Sequence, residues 1–249
     1  MTDLVLSAHL DDAVLSCGGR LGPGSTVVTL FAGRPPRGTL AEWDVRTGAT
    51  DSSERIAARW EEDRRALALL GARGVRLPLL CAQYREAAPD PPATVRLLAP
   101  FAASADALWL PAAVGAHPDH VFTRDVGLEL AEHAGVPVQL YADLPYSFLD
   151  GWPDVVRRAA PATPVETTSG WLAEAALVAE VAARVRWPVS LTRRVFLLDP
   201  AARDLKRSAV AAYASQLEVL DGQCAGRLRR GDDLALEVAW EVGTVGRGP

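Results

Sequence analysis

Near its N-terminus the chain carries the stretch L-V-L-S-A-H-L-D-D-A-V-L-S-C-G-G, residues 4–19. Its opening run Leu4–Leu6 predicts a short buried strand, and Ala13–Leu15 predicts the first turn of a helix. A helix cap between the two elements needs one polar side chain at most. The connection instead holds three ionisable residues, which indicates a functional site: His9, Asp11 and Asp12.

The alternation of a buried strand with a helix recurs along the chain. Further strands are predicted from short apolar runs at 26–32, 75–81, 107–111 and 138–142. Helices are predicted from helical spacing at 12–21, 53–70, 94–103 and 119–134. The pattern is looser after residue 145, with helices predicted at 171–186 and 200–220 and strands at 194–198 and 234–242. This order is typical of an α/β fold with a mostly parallel sheet.

No linker-like stretch divides the chain, so we expect a single domain over residues 1–249. The polar segment 33–52 is too long for a structureless connection in a compact fold, and segments of this kind are often functional lids.

Composition narrows the classes of function. The net charge is −5, which argues against a nucleic-acid partner because phosphate contacts need a basic face. The chain has no run of 18 apolar residues, so no membrane span is predicted, and no secretion signal is visible. The chain has three widely spaced cysteines, Cys17, Cys81 and Cys224, and they form no C-x-x-C pair. We therefore expect their thiols to be reduced and to bind no metal, in a cytoplasmic protein. A homo-oligomer is left open.

A second polar motif, H-P-D-H at 117–120, follows the predicted strand 107–111. Ligands of such sheets bind outside the carboxyl ends of the strands, so both motifs are expected in one crevice. Two histidines and one carboxylate make an open zinc site. A further carboxylate can act as general base. The fourth histidine, His133, is expected at the surface.

Other interpretations of the motifs stay open at this point. Asp11 or Asp12 could cap a helix, and H-P-D-H could be another capped helix start with Pro118 at its first position. A nucleotide-binding module would place a glycine-rich turn directly after strand one, whereas C-G-G-R-L-G, residues 17–22, follows the first helix. A metallophosphatase would need more carboxylates.

The two motifs together resemble the PIG-L/LmbE-like de-N-acetylase family, which carries A-H-P-D-D-E and H-P-D-H on a Rossmann-like fold. Three more segments are similar to the family: R-W-E-E-D-R-R-A-L-A-L-L-G at 59–71, L-P-Y at 144–146, and K-R-S-A-V-A-A-Y-A-S-Q at 206–216. The resemblance spans most of the chain. It implies a Rossmann-like α/β fold with helices on both faces of the sheet, and a few residues are most similar to deacetylases of glycopeptide-antibiotic biosynthesis.

The resemblance also implies roles for individual residues. One Zn²⁺ per chain, replaceable by another divalent metal, is expected on His9, Asp12 and His120. Asp11 is expected to be the general base. A protonated His117 is expected to stabilise the tetrahedral intermediate and serve as acid.

Other residues are assigned more distant roles. Asp119 is expected to orient a ligating histidine, since a ligating imidazole usually donates its other N–H to a carboxylate. Arg59 is similar to a substrate-binding arginine. Among aromatic residues, Trp43 and Tyr146 are the preferred candidates for sugar contacts, ahead of Trp152 and Trp171. Trp60 is expected in the core.

Two positions depart from the family pattern. Leu10 replaces a proline and Ala13 replaces a glutamate, which puts one supporting carboxylate in doubt.

The predicted activity is therefore a zinc-dependent deacetylase acting on an N-acylated amino sugar or glycoconjugate, with natural-product biosynthesis as the suggested context. The alternative is a zinc amidase that cleaves another small amide, such as a thiol conjugate.

Overall fold

The structure is a computed structural model that describes residues 2–149, 162–164, 172–186, 188–230 and 232–244, with only the backbone at 162–164, 172–175 and 244. The described strands are β1 Asp3–Ser7, β2 Thr26–Thr29, β3 Arg73–Arg76, β4 Ala107–Pro111, β5 Val138–Tyr141, β6 Ala162–Pro164, β7 Val189–Leu197 and β8 Leu236–Thr244. The described α-helices are α1 Asp12–Cys17, α2 Glu42–Arg46, α3 Ser52–Leu70, α4 Pro91–Ala102, α5 Pro118–Ala134, α6 Tyr146–Leu149, α7 Leu172–Ala182, α8 Pro200–Ala211, α9 Ala214–Gln223 and α10 Arg227–Arg230.

These strands form one sheet in the order β3-β2-β1-β4-β5-β8-β7-β6. The first five are mutually parallel, and β8, β7 and β6 extend the sheet by antiparallel pairing. The strand order reverses between β1 and β4, and an open α/β sheet binds its ligands at this kind of switch point. The predicted α/β, Rossmann-like fold is confirmed.

Helices cover both faces of the sheet. Right-handed crossovers place α1 and α3 on one face and α4 and α5 on the other. The contacts agree, because α8 packs against α1 and α3 while α4 packs against α5. Helix α5 lies close to the sheet at Gly127, where an added Cβ would stand 2.3 Å from Leu110 of β4. This approach brings the start of α5 to the end of β1.

Several predicted elements differ in extent from the observed ones. β3 ends at Arg76 rather than at 81, because the chain leaves the sheet at Pro78, which has no N–H to donate and forms only an isolated bridge with Phe31. The segment 33–52 is not structureless, since it contains α2.

The predicted helix 200–220 is interrupted at 212–213. Glu62 of α3 accepts hydrogen bonds from the backbone N–H and the hydroxyl of Ser215. The Glu62 carboxylate thereby caps the first turn of a separate helix, α9. Among the described residues, no helix is long and apolar enough to cross a membrane.

Candidate metal centre and active site

Three donor atoms from two distant parts of the chain meet at the carboxyl ends of β1 and β4. His9 Nδ1 lies 3.3 Å from Asp12 Oδ2 and 3.3 Å from His120 Nε2, and the last two atoms are 3.2 Å apart. A tetrahedral zinc site with bonds of about 2.0–2.1 Å holds its ligand atoms about 3.3–3.4 Å apart. The donor set therefore fits a tetrahedral cation, with one position left for water or substrate.

Each of the two histidines is oriented by a buried carboxylate through its other ring nitrogen. His9 Nε2 is 3.0 Å from Asp119 Oδ2, and His120 Nδ1 is 2.6 Å from Asp143 Oδ1. Such partners fix the ring position and the tautomer of a metal-ligating histidine. Asp119 was assigned this position from the sequence, whereas Asp143 was not.

The carboxylates and imidazole rings of this cluster stabilise each other's charged forms. Burial alone would raise the pKa of Asp12, but the adjacent His120 and His9 rings hold it well below its usual range. Burial would lower the pKa of His120, yet the neighbouring Asp12 and Asp143 raise it to about 10. In the absence of metal, protons on the rings therefore balance the buried carboxylates, and a cation that binds here replaces positive charge already favoured at this position.

Asp11 takes no part in helix capping. It stands at the N-cap of α1 but makes no side-chain cap hydrogen bond, and its Oδ1 accepts one from Arg59 Nη2 at 3.0 Å. Asp12 accepts the N–H of His9 at 2.7 Å. Arg59, expected to bind substrate, lies on the same cavity as Asp11 and is buried, so it also holds the position of that carboxylate.

His117 is the N-cap residue of α5, with Pro118 at the first helical position. The capping interpretation is therefore correct for this residue, and it coexists with a place in the site. Its Nδ1 accepts the N–H of Asp119 at 3.2 Å. Burial and the nearby His9 and His120 lower the pKa of His117 to about 4. Because Nδ1 accepts the Asp119 N–H, Nε2 is the ring nitrogen that can donate a hydrogen bond, and the role of a protonated His117 in catalysis stays a prediction.

A cavity of about 540 Å³ opens over these residues. Its wall includes Trp43 and Arg46 of α2, so the long segment 33–52 does cover the site. Trp43 Nε1 donates to Gln216 Oε1 of α9 at 2.8 Å, across the cavity. The cavity is also lined by Glu42, Gln83, Leu144, Pro145, Tyr146, Leu220 and Gln223.

Tyr146 stands beside the ligand cluster, with its ring centroid 5.5 Å from that of His120. The left-handed backbone at Gly115 makes room for it, because an added Cβ there would lie 2.8 Å from the tyrosine ring. The other aromatic candidates are placed differently. Trp60 is half-buried and donates to Ala32 O, while Trp152 and Trp171 lie outside the described residues.

Comparison with known proteins settles the family. Residues 4–131 match the model of PIG-L, GlcNAc-PI de-N-acetylase. The chain belongs to this family. No curated protein sequence matches it significantly.

Three solved structures of deacetylases resemble the whole chain. The A40926 pseudoaglycone deacetylase Dbv21 is 28% identical, with a TM-score of 0.70 and 99% of each chain covered. A triple mutant of the deacetylase Orf2 in the teicoplanin biosynthetic pathway is 27% identical, with a TM-score of 0.72 and 100% of each chain covered. The zinc-inhibited form of teicoplanin deacetylase Orf2 is 26% identical, with a TM-score of 0.70 and 99% of each chain covered. The resemblance to the glycopeptide deacetylase branch of PIG-L is thus confirmed.

The glycine-rich stretch 17–22 does not form a phosphate loop in this PIG-L chain. Gly19 N–H is occupied by Glu237 Oε1 at 2.7 Å, and an added Cβ at Gly19 would lie 2.4 Å from Leu198. The stretch packs against the rest of the protein at the C-terminal end of α1. A phosphate-binding turn would lie at the N-terminal end of that helix, so this stretch does not support the nucleotide-binding alternative.

Among the residues of the site that were missed from the sequence are Cys81, Asp143 and Gln216. Asp143 is a polar residue just past the apolar strand β5, the same signal that identified His9. Cys81 is the last residue of the apolar run 75–81 that was predicted as a strand. Gln216 lies within the segment 206–216 that resembled the family, but nothing in that segment indicated that it faces Trp43.

Proposed function

We propose that this protein is a zinc-dependent deacetylase that removes an acyl group from an N-acylated amino sugar of a glycopeptide or related glycoconjugate. The observation that carries the proposal is the near-equilateral set of donor atoms on His9, Asp12 and His120, with a separate carboxylate, Asp11, held beside it by Arg59. We propose further that residues 1–249 act as one domain, binding one Zn²⁺ per chain in the cytoplasm.

The bound ion would act as Lewis acid toward the amide carbonyl and would lower the pKa of the attacking water. Asp11, whose carboxylate Arg59 holds in position, accepts the proton of that water. His117 donates its Nε2–H to the oxygen that becomes negative, because its Nδ1 is committed to the Asp119 N–H. A preorganised donor of this kind stabilises the transition state without reorganisation.

Two groups are candidates for the acid that protonates the departing amine. Asp11 holds the proton taken from water and can return it to the amine nitrogen, so that one carboxylate serves as base and as acid in successive steps. His117, which the family resemblance implies as acid, is the second candidate.

The cavity favours a sugar with an apolar neighbour. Its volume of about 540 Å³ is typical of ligand pockets. Amide side chains of Gln83 and Gln223 can bond hydroxyl groups, and the Trp43 and Tyr146 rings can pack on a pyranose face or an apolar aglycone. Two structural relatives are deacetylases of teicoplanin and of the A40926 pseudoaglycone, and this supports a glycopeptide sugar as substrate.

The test is hydrolysis by protein loaded with one equivalent of zinc. N-acylglucosaminyl glycopeptide pseudoaglycones, free N-acetylglucosamine and an N-acyl cysteine conjugate of glucosamine would be compared by the free amine released. We expect the highest kcat/KM on the glycopeptide. Preference for the thiol conjugate would favour the amidase alternative, and no amine release from any substrate by zinc-loaded protein would refute the proposal.

A further inference from the structure

A second set of donor atoms lies at the other edge of the His9 ring. His9 Nε2 is 3.0 Å from Asp119 Oδ2 and 3.6 Å from Cys81 Sγ, and the three atoms lie within 4.8 Å of one another. Tetrahedral zinc, with bonds of about 2.0–2.1 Å to nitrogen and about 2.3 Å to sulfur, places nitrogen and sulfur about 3.5 Å apart. The spacing of His9 and Cys81 matches this geometry.

The backbone fixes Cys81 at this place. Gly33 donates its N–H to Leu79 O at 2.9 Å, and an added Cβ at Gly33 would lie 2.4 Å from Pro78 O. The two chain segments thus run in direct contact just before Cys81. The cysteine is free and buried from bulk solvent, yet it lines the cavity over the metal centre. An ion that enters the cavity therefore reaches its thiol.

We propose that a second, thiophilic divalent cation binds His9 Nε2, Cys81 Sγ and Asp119 Oδ2 and inhibits the enzyme. Binding would release the thiol proton of Cys81 and the Nε2 proton of His9 to solvent, so that a thiolate and an imidazolate would hold the ion. The two ring nitrogens of His9 would then serve one site each. The inhibitory effect rests on the proposed deacetylase activity. Binding of the second cation does not, because it is measured without substrate.

Neighbouring groups make this site weaker than the first. Arg85 Nη2 lies 2.5 Å from Asp119 Oδ1, and Ala82 N–H donates to Asp119 Oδ2 at 2.9 Å. Part of the carboxylate charge is therefore already compensated, and His9 must be shared. The second cation accordingly binds only after the first position is filled, when metal is in excess.

Occupation of the second site works against catalysis in two ways. It replaces the hydrogen bond between His9 and Asp119 that orients a ligand of the first cation. It also adds a positive ion to the cavity wall that substrate must pass. Excess zinc is then expected to lower the activity that the first equivalent of zinc confers.

Cadmium titration of the metal-free protein tests the binding directly. We expect two equivalents to bind, the second with the ultraviolet absorption of a cadmium–thiolate bond. Cys81→Ser and Cys81→Ala should bind one equivalent without that absorption. Cys224→Ser is the matched control, since Cys224 is also buried and its thiol donates to backbone oxygens of α9, and it should behave as wild type. A second equivalent without thiolate absorption in wild type, or an unchanged titration in both Cys81 variants, overturns the proposal.

Activity gives the second readout, expressed for each protein as the ratio between excess zinc and one equivalent. Wild type and Cys224→Ser should lose most of their activity in excess zinc, whereas the Cys81 variants should retain theirs. Equal loss in the Cys81 variants would contradict the inhibitory role. If no substrate is turned over at all, the proposed function fails, and the cadmium titration still decides the site.

Discussion

Asp11 and Asp12 are neighbours in the chain but face different partners. Asp12 contacts both ligating histidines, while Asp11 contacts Arg59 and makes no cap hydrogen bond. At the scale of the single residue, the two carboxylates thus have different surroundings, and the proposed mechanism assigns Asp12 to the cation and Asp11 to proton transfer.

Substitution Asp11→Asn should therefore retain the metal and lose the chemistry. Asparagine keeps the shape of aspartate but cannot accept the proton of the attacking water, and positioned acid–base catalysis contributes about 10²–10⁴-fold. We expect kcat to fall by at least about 100-fold, with zinc content near one per chain by metal analysis. Asp12→Ala is the contrast and should lose its zinc. Loss of zinc from Asp11→Asn would make Asp11 a ligand instead.

Asp143 should control metal affinity although it does not touch the cation. It is buried and lies 2.6 Å from His120 Nδ1, and loss of such a partner typically costs about 10–100-fold in affinity. We expect Asp143→Asn to weaken zinc binding by this factor in competition with a chelator of known affinity. Asp204→Asn, an exposed position on α8, is the control. An unchanged zinc affinity would show that the His120 ring is held by other contacts.

At the scale of elements, α2 and α9 close the cavity from opposite sides through one hydrogen bond. Trp43 and Gln216 form it, and two further contacts hold the helices in place. Tyr84 Oη donates to Asp44 Oδ2 at 2.5 Å, and Glu62 caps α9 at Ser215. The lid predicted at 33–52 is therefore a short helix with defined anchors.

The Trp43–Gln216 contact should affect substrate binding more than turnover. A hydrogen bond of this kind contributes about 0.5–1.5 kcal/mol, so Trp43→Phe and Gln216→Leu should each raise KM about 2- to 10-fold. The double variant should be no worse than the more impaired single variant, because both remove the same bond. Trp60→Phe, whose indole N–H bonds Ala32 O outside the cavity wall, should leave KM unchanged. Additive effects in the double variant would show that the two side chains act independently.

Helix α3 also carries a buried carboxylate whose burial gives stability a dependence on pH. Burial raises the pKa of Asp63 to about 6, although Arg76 and Tyr213 oppose the rise. The unfolded chain has a pKa of about 3.9. Because the folded state holds the proton more tightly, the stability that Asp63 contributes is present below about pH 4 and is lost as the pH rises through about 6.

Urea denaturation of metal-free wild type and Asp63→Asn at pH 4 to 7 would measure this effect. We expect the unfolding free energy of wild type to fall relative to that of Asp63→Asn by roughly 2–3 kcal/mol over this range. The difference between the two proteins removes the contribution of the other titrating groups. A constant difference would mean that Asp63 is ionised throughout the range.

At the scale of the whole molecule, the core does not depend on the metal centre. Buried apolar residues form one cluster that extends from β1 and β2 to β8, while the ligands lie at the carboxyl edge of the sheet. A core of this size needs no structural metal. The cation adds stability only by binding the folded state.

Removal of zinc should therefore leave a folded, inactive protein. A chelator should abolish activity without changing the far-ultraviolet circular dichroism, and one equivalent of zinc should restore turnover. Zinc at a hundredfold excess over its Kd should add about 2.7 kcal/mol, which raises Tm by roughly 5–10 °C for a chain of this length. An unfolded metal-free protein would show instead that the metal is structural.

The amino-acid sequence determined the α/β class and the two motifs of the site, because both are local patterns. A short apolar run followed by His9 and Asp12, or by His117 and His120, can be read within at most fourteen positions. The strand order that brings β1 beside β4 follows from general rules for parallel sheets.

Only the tertiary structure decided which other residues complete the site. Cys81 lies 72 positions from His9, and Gln216 lies 173 positions from Trp43. Contacts this distant depend on packing that no local pattern contains. Two examples are the approach of α5 to β4 at Gly127 and the interruption between α8 and α9 that Glu62 stabilises. The lowered pKa of His117 has the same origin, since it is caused by burial and by the His9 and His120 rings that the fold brings next to it.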